Sequence, residues 1–331
     1  MILFERVFLN FFKFFHFQLY KLKKKVLHLL SIVFWEKNID NLYYGHYFIL
    51  KKYCKTFLPY KINGEVQHGW SVRNGIGPNN PALMPFFDKS KRYYLWNKWN
   101  LSSSQKNGLN NTIGIGAPFL YLLDMVSITT KPKPKSLILF PLHSWEHDKF
   151  IEIENVYEKY IKDLNKIKSH FEIIAVSLYH TEFRNDYIVD LFTRQNISTV
   201  CMGERDNNPK FLENFIEIVK DFDYVSSESW SSAIFYSLAM KKKTFIYGKS
   251  MWYSNDEHNR GEKNIKKIEN KYRKKYPQIL WENFDHRSHY KIANDELGLN
   301  YKKSLKELRN LFGWNLTSAS KTILKNIIKK I

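Results

Sequence analysis

The stretch Tyr224-Val-Ser-Ser-Glu-Ser-Trp-Ser-Ser-Ala-Ile-Phe-Tyr-Ser-Leu-Ala-Met240 decides how the rest of the chain is read. Residues 223–226 predict a short strand, a hydroxyl-rich turn follows, and a helix is expected from Trp230 or Ser231. Residues 241–248 read as the next strand. Such a turn presents hydroxyls and unpaired backbone N–H groups at a helix N-terminus. The helix dipole adds partial positive charge there, so the turn suits a phosphate. The plainer reading is that Ser227 or Ser229 caps the helix.

Outward from this stretch the pattern is regular. Strands at 136–142, 172–178 and 198–202 alternate with helices at 150–171, 185–195 and 209–222. That alternation implies an α/β unit with a parallel sheet and helices on both faces. Ligands of such sheets bind at the carboxyl ends of the strands. Here those ends carry His143, His180, Gly203 with Arg205, and the turn with Ser229, Ser231 and Ser232. A lone His at a strand end is usually structural, but four such ends together describe a polar cleft for a phosphorylated ligand.

The first half is less regular. A helix is expected at 41–57, a short strand at 64–70 ending in a His-Gly turn, and a loop at 74–85. Residues 91–99 read as a strand, 102–111 as a polar loop or a short helix, and 112–121 as a strand leading into a helix. The alternating Lys-Pro of residues 129–135 reads as a linker, since proline suits neither helix nor central strand. The expected divisions are a basic aromatic segment at 1–37, α/β domains at 38–130 and 131–300, and a helical tail at 301–331. His68 is the candidate general base, because an imidazole titrates near working pH. Gly69 beside it lets backbone or ligand approach closely, and Glu65 and Trp70 complete this side. The plainer reading of His68 is a turn histidine satisfied by backbone. Glu65 and His68 are three apart, so their side chains need not share a strand face.

Several motifs lead elsewhere. Asp221-Phe-Asp223 has metal-pair spacing but precedes its strand, at the wrong edge of the sheet. Gly114-Ile-Gly116 lacks the third glycine of a dinucleotide fingerprint. His143 and His147 lack the glutamate of a zinc helix, so no metal site is expected. Cys54 and Cys201 form no disulfide framework, which suits a reducing cytoplasm.

Lysine and arginine number 52 against 32 acidic residues, a net charge of +20 over 331 residues. Such a balance points to an anionic partner. The lysines are scattered and carry no nucleic-acid-binding motif, so nucleic acid is not the expected partner, although a basic nucleic-acid-binding protein is the rival reading from another class. The aromatic and basic residues of 1–35 fit a helix lying on an anionic membrane surface, and equally a packing helix with a basic outer face. Charges interrupt its apolar runs, so a transmembrane span is not expected.

The phrases Gln67-His-Gly-Trp70, Gly114-Ile-Gly-Ala-Pro118, Phe140-Pro-Leu-His-Ser144 and Ser226-Ser-Glu-Ser-Trp-Ser-Ser232, followed by Leu238-Ala-Met-Lys-Lys-Lys243, resemble a GT-B glycosyltransferase. The likeness is to bacterial enzymes of capsule and lipopolysaccharide biosynthesis, over roughly residues 60–250. It implies two Rossmann-like domains facing a cleft and a nucleotide-sugar donor as substrate, with no cofactor. The donor phosphate would lie on Ser229, Ser231, Ser232 and the helix N-terminus, with His143, His180 or Arg205 at the leaving group. His68 would deprotonate an acceptor glycan, lipid-linked or not, at the inner face of the cell membrane. Fixed donors would make a metal unnecessary, and a basic cleft would suit a CMP-linked acidic sugar. His68-Gly69 also resembles the His-Gly element of polyol-phosphate transferases, where Thr usually follows and Trp70 stands here.

Overall fold

The computed structural model describes residues 41–56, 61–70, 90–141, 153–206, 208–248 and 269–315. The expected segment 1–37, His143 and the terminal helix from 317 lie outside these residues.

Two parallel sheets carry the fold. The first has three strands in the order β1-β2-β3: β1 (Glu65–Val66), β2 (Tyr93–Leu95) and β3 (Thr112–Gly114). The second holds β4 (Lys133–Phe140), β5 (Ile173–Ser177), β6 (Ser198–Val200), β7 (Phe222–Ser227) and β8 (Lys243–Ile246) in the order β6-β5-β4-β7-β8. The chain lays down β4, β5 and β6 in one direction and returns across β4 for β7 and β8. Strand order therefore reverses between β4 and β7, the place where open parallel sheets take ligands. The helices α1 (His46–Tyr53), α2 (Lys98–Lys106), α3 (Pro118–Met125), α4 (Ile153–Leu164), α5 (Asp186–Thr193), α6 (Phe211–Val219), α7 (Ser232–Ala239), α8 (Tyr290–Glu296) and α9 (Leu305–Phe312) accompany the strands. The α/β class with parallel sheets is as the alternation predicts.

Local chemistry explains two departures from the sequence reading. Residues 91–99 do not form one strand: β2 ends at Leu95, and the Asn97 side chain accepts the Asn100 N–H and caps α2. The same helix runs through Ser102 to Lys106, the short helix that the polar stretch left open. The Lys-Pro run does not stay outside the sheet, because the central strand β4 begins at Lys133 and includes Pro134. Its pairing with β7 shifts register between Lys133 and Leu137, and Lys135 has a positive φ of 49°. Ser136 Oγ donates to the Lys133 carbonyl and accepts the Asp223 N–H at 3.0 Å, so the irregular segment keeps its polar groups paired.

The two halves share one apolar core. Phe119 of α3 stacks on Tyr236 of α7 at 4.3 Å, and Trp70 lies 4.5 Å from Phe235. Burying each such side chain is worth about 1.5–3 kcal/mol. The tail packs back on the first sheet. The Tyr94 hydroxyl donates to the Leu311 carbonyl at 2.5 Å, and the Trp314 indole to the Lys61 carbonyl at 3.0 Å. Glu296 is fully buried and accepts from the Trp70 indole (2.9 Å), the Tyr276 hydroxyl (2.8 Å) and Lys275 (2.7 Å). A buried carboxylate is tolerable only when it is so paired. Among the described residues no helix is long and apolar enough to cross a membrane.

Gly298 has φ +71°, and a Cβ there would sit 1.8 Å from the Trp96 carbonyl oxygen. Gly298→Ala is expected to destabilise the protein by about 3 kcal/mol or more, read from its urea midpoint. His46 is buried at the start of α1 with Nε2 unpartnered, and burial lowers its pKa to about 3. Its neutral form is favoured in the folded state, so the stability it permits is complete above about pH 6.5. That stability falls as pH drops toward 3, by up to about 1.4 kcal/mol per pH unit. His46→Leu is expected to flatten this acid slope while changing stability at pH 8 by no more than about 1 kcal/mol, measured by urea unfolding across pH.

Candidate active site

The His-Gly turn leaves β1 and is held from both sides. Gln67 is fully buried; its side-chain amide donates to the Gly69 carbonyl at 2.9 Å, and its oxygen accepts from Trp96 N–H (3.0 Å) and Asn100 Nδ2 (2.6 Å). The Asn41 side chain accepts the Val66 N–H at 2.6 Å and donates to the Gly64 carbonyl at 3.1 Å. The turn is therefore rigid before any ligand arrives.

The serine turn leaves β7 at the switch point. Neither Ser227 nor Ser229 caps the helix. Ser227 ends β7, Ser229 is buried, and Ser231 takes the N-cap position without a side-chain cap bond. The Ser231 hydroxyl and the Trp230 indole N–H are both buried and unpartnered. The first amides of α7 thus lack the usual capping oxygen, leaving donors of the kind an anion takes.

The two turns touch. The Trp70 N–H donates to Ser232 Oγ at 3.0 Å, and a Cβ on Gly69 would meet the same hydroxyl at 3.3 Å. Gly69 is needed for this approach. Ser232 serves the junction, which removes it from the set of unpartnered hydroxyls. Trp70 is 8% exposed, with its ring in the core and its indole on Glu296, so it offers the acceptor side no face. Glu65 pairs with Lys91 at 2.7 Å.

His68 is partly buried. Its ring lies edge-on to Tyr43 at 4.4 Å and 5.1 Å from Tyr44. Burial, then the charge of Arg205, then His46, hold its pKa well below 6.5. The imidazole is neutral at pH 7. Arg205, from the loop after β6, pairs through Nε with Asp206 at 2.9 Å and lies over the Tyr179 ring at 5.7 Å. Its guanidinium also donates to the Tyr44 hydroxyl. His180 packs on Tyr179 at 4.4 Å. The ends of β5 and β6 therefore reach the His-Gly turn through Tyr179, Arg205 and Tyr44. Gly203 turns the β6 loop with φ +91° and packs on Asn208.

Other sequence candidates take structural roles. Lys242, from the Lys-Lys-Lys run that follows the serine helix, donates to the Lys220 (2.6 Å) and Phe222 (2.7 Å) carbonyls at the far edge of the sheet. Burial lowers its pKa to about 8. Asp223 pairs with Lys243 at 2.9 Å on that same edge. Gly114 and Gly116 make room for Tyr301 and the Gly298 carbonyl. Sequence reasoning left three neighbours out of the site: Tyr44, Asp206 and the buried Glu228 of the serine turn. Glu228 lies against Gly248 and close enough to Tyr160 to raise that phenol's pKa, after burial as the main cause. Its place in the hydroxyl turn was the available signal. Among the described residues no cluster of His, Cys, Asp or Glu is placed to hold a metal ion.

No family model matches the chain, and no curated protein matches it.

Proposed function

We propose that the chain is a GT-B-type glycosyltransferase that moves a sugar from a nucleotide-sugar donor to a glycan or lipid-linked glycan acceptor. The observation that carries this reading is the contact of the His-Gly turn with the serine turn, 3.0 Å from Trp70 N to Ser232 Oγ, at the carboxyl edge of the second sheet. A candidate general base and a set of anion-ready amides then belong to adjoining turns. In this reading the acceptor oxygen attacks the anomeric carbon and its proton passes to His68. The bond from that carbon to the donor phosphate breaks, and its electron pair leaves with the phosphate. The amides at the start of α7, the Ser231 hydroxyl, Arg205 and His180 receive the charge. His143, which the resemblance adds to this group, lies outside the described residues. The net charge of +20 supports work at an anionic membrane surface.

A base of lowered pKa pulls weakly on a hydroxyl. Bound donor phosphate offsets this, because a neighbouring negative charge raises the imidazole's proton affinity. Activity is lost as His68 protonates, so both acid limbs fall with decreasing pH. The limb of kcat/KM, which reports the free protein, is expected well below pH 6.5, and that of kcat, which reports the complex, at higher pH. Profiles from pH 4.5 to 8 on the best donor of a CMP-, UDP-, GDP- and CDP-linked panel check this. The panel also separates sugar transfer from polyol-phosphate transfer. His68→Ala is expected to lower turnover by about 10²- to 10⁴-fold with the fold retained. Full activity in that variant removes His68 as the base, and tight salt-sensitive RNA binding without donor binding removes the transferase reading.

The two serines are expected to part ways. Ser231→Ala weakens donor binding by about tenfold with the melting temperature unchanged. Ser232→Ala lowers the melting temperature, because the Trp70 N–H loses its acceptor. Calorimetric titration and thermal unfolding of the two variants read this difference.

A further inference from the structure

Tyr44 belongs to the 3-10 turn Tyr43–Gly45 before α1, and its backbone sits at φ 54°, ψ 14°. An aromatic residue in the left-handed region costs about 1–3 kcal/mol and persists only where its surroundings over-determine it. Gly45 follows at φ +75°, and a Cβ on it would lie 2.4 Å from the Pro209 carbonyl oxygen. The turn is thus pressed against the loop that carries Arg205. The Tyr44 N–H donates to the Arg205 carbonyl at 2.6 Å, and the Tyr44 hydroxyl accepts from the guanidinium. The ring reaches the other way, 5.1 Å from His68 and 3.5 Å from where a Cβ on Gly69 would be. Phe211 and His46 close its remaining sides at 5.3 and 5.7 Å.

We infer that Tyr44 is a positioning residue: its hydroxyl, together with Asp206, fixes the Arg205 guanidinium beside His68. The strained backbone aims that hydroxyl across the junction between the two halves. The guanidinium is held on three sides, by Tyr44, Asp206 and the Tyr179 ring. Among the described residues, the charged and titratable groups around His68 are Arg205, His46, Tyr43 and Tyr44, with Asp206 and Glu65 acting on Tyr43. Burial first, and then the charge of Arg205, holds the imidazole neutral. What His68 does with its proton rests on the transferase reading; the coupling to Tyr44 does not.

The test is a histidine NMR titration of the full chain, with the His68 signal assigned by its loss in His68→Gln. Tyr44→Phe keeps the ring and removes only the hydroxyl. Its released guanidinium acts less on His68, so the His68 pKa is expected to rise by about one unit toward 6.5. Arg205→Gln should raise it at least as far, and the double variant no further than Arg205→Gln alone. A His68 titration unchanged in Tyr44→Phe overturns the inference, whether or not Arg205→Gln moves it. Should Tyr44→Phe fail to fold, Arg205→Lys carries the test. Lysine keeps the charge but lacks the planar fork that reaches Tyr44 and Asp206 together. The same rise is then expected, and an unchanged titration overturns the inference. Donor turnover of the unmutated chain separates the two ideas: a raised titration in the variants, with an unmutated chain inactive on every donor, upholds the positioning role and removes the transferase reading.

Discussion

The N–H of Trp70 donates to the hydroxyl of Ser232, and the spacing of the site follows from that one hydrogen bond. Trp70 cannot shift to relieve it. Its ring is held against Phe235 and Tyr272, and its indole is held by Glu296. Gln67 fixes the carbonyl of the residue between His68 and Trp70. The His-Gly turn is therefore pinned by the first sheet, the tail and the second sheet at once. A loosened partner on any of these three would move His68, and an error of about 1 Å is enough to spoil an attack geometry.

Polar groups inside this shared core are handled in contrasting ways. Glu296 stays a hydrogen-bonded acceptor because Lys275, Tyr276 and Trp70 all converge on it, and Lys275 is also set over the rings of Trp99 and Tyr276 at 4.7 and 4.5 Å. Arg205 keeps a charge at the junction because Asp206 accompanies it. His46, with no partner for Nε2, is held neutral by burial. A charged His46 beside Arg205 would have placed two like charges behind His68 with no carboxylate of its own to answer the second. The halves could be joined through such a polar seam only with each charge answered and the leftover histidine discharged.

Much of this architecture was legible in the sequence. Alternating apolar strands and amphipathic helices from 136 to 246 read directly as a parallel sheet, because burial on both faces leaves the strands nearly all apolar. That the His68 turn and the serine turn each leave a sheet at its carboxyl edge was also legible, since both follow strands. Other features were not. Pro134 read as a breaker, but the register shift in β4 accommodates it. The aromatic run 91–99 concealed a helix start, because the signal lay in one residue, Asn97. The Lys-Lys-Lys run followed the serine turn in the family likeness, yet Lys242 caps carbonyls at the opposite edge, and a lysine in sequence does not say which edge it reaches. Tyr44 had the weakest signal of all. A left-handed tyrosine has no propensity pattern, and only the following glycine hinted at a turn.

The serine turn itself holds an imbalance. An unsatisfied buried hydroxyl costs about 1–3 kcal/mol, and the turn carries two buried donors without partners, Ser231 Oγ and Trp230 Nε1, side by side in sequence. A turn shaped only to start a helix would have turned Ser231 back onto the α7 amides and removed most of that cost. Here the hydroxyl is left free while its neighbour Ser232 ties the halves together. In the transferase reading the missing partner is a phosphate oxygen. A phosphate oxygen there would satisfy these donors and would set negative charge beside a histidine that burial and Arg205 hold neutral. Binding and activation of the base would then be one electrostatic event, with Arg205 as the group common to both.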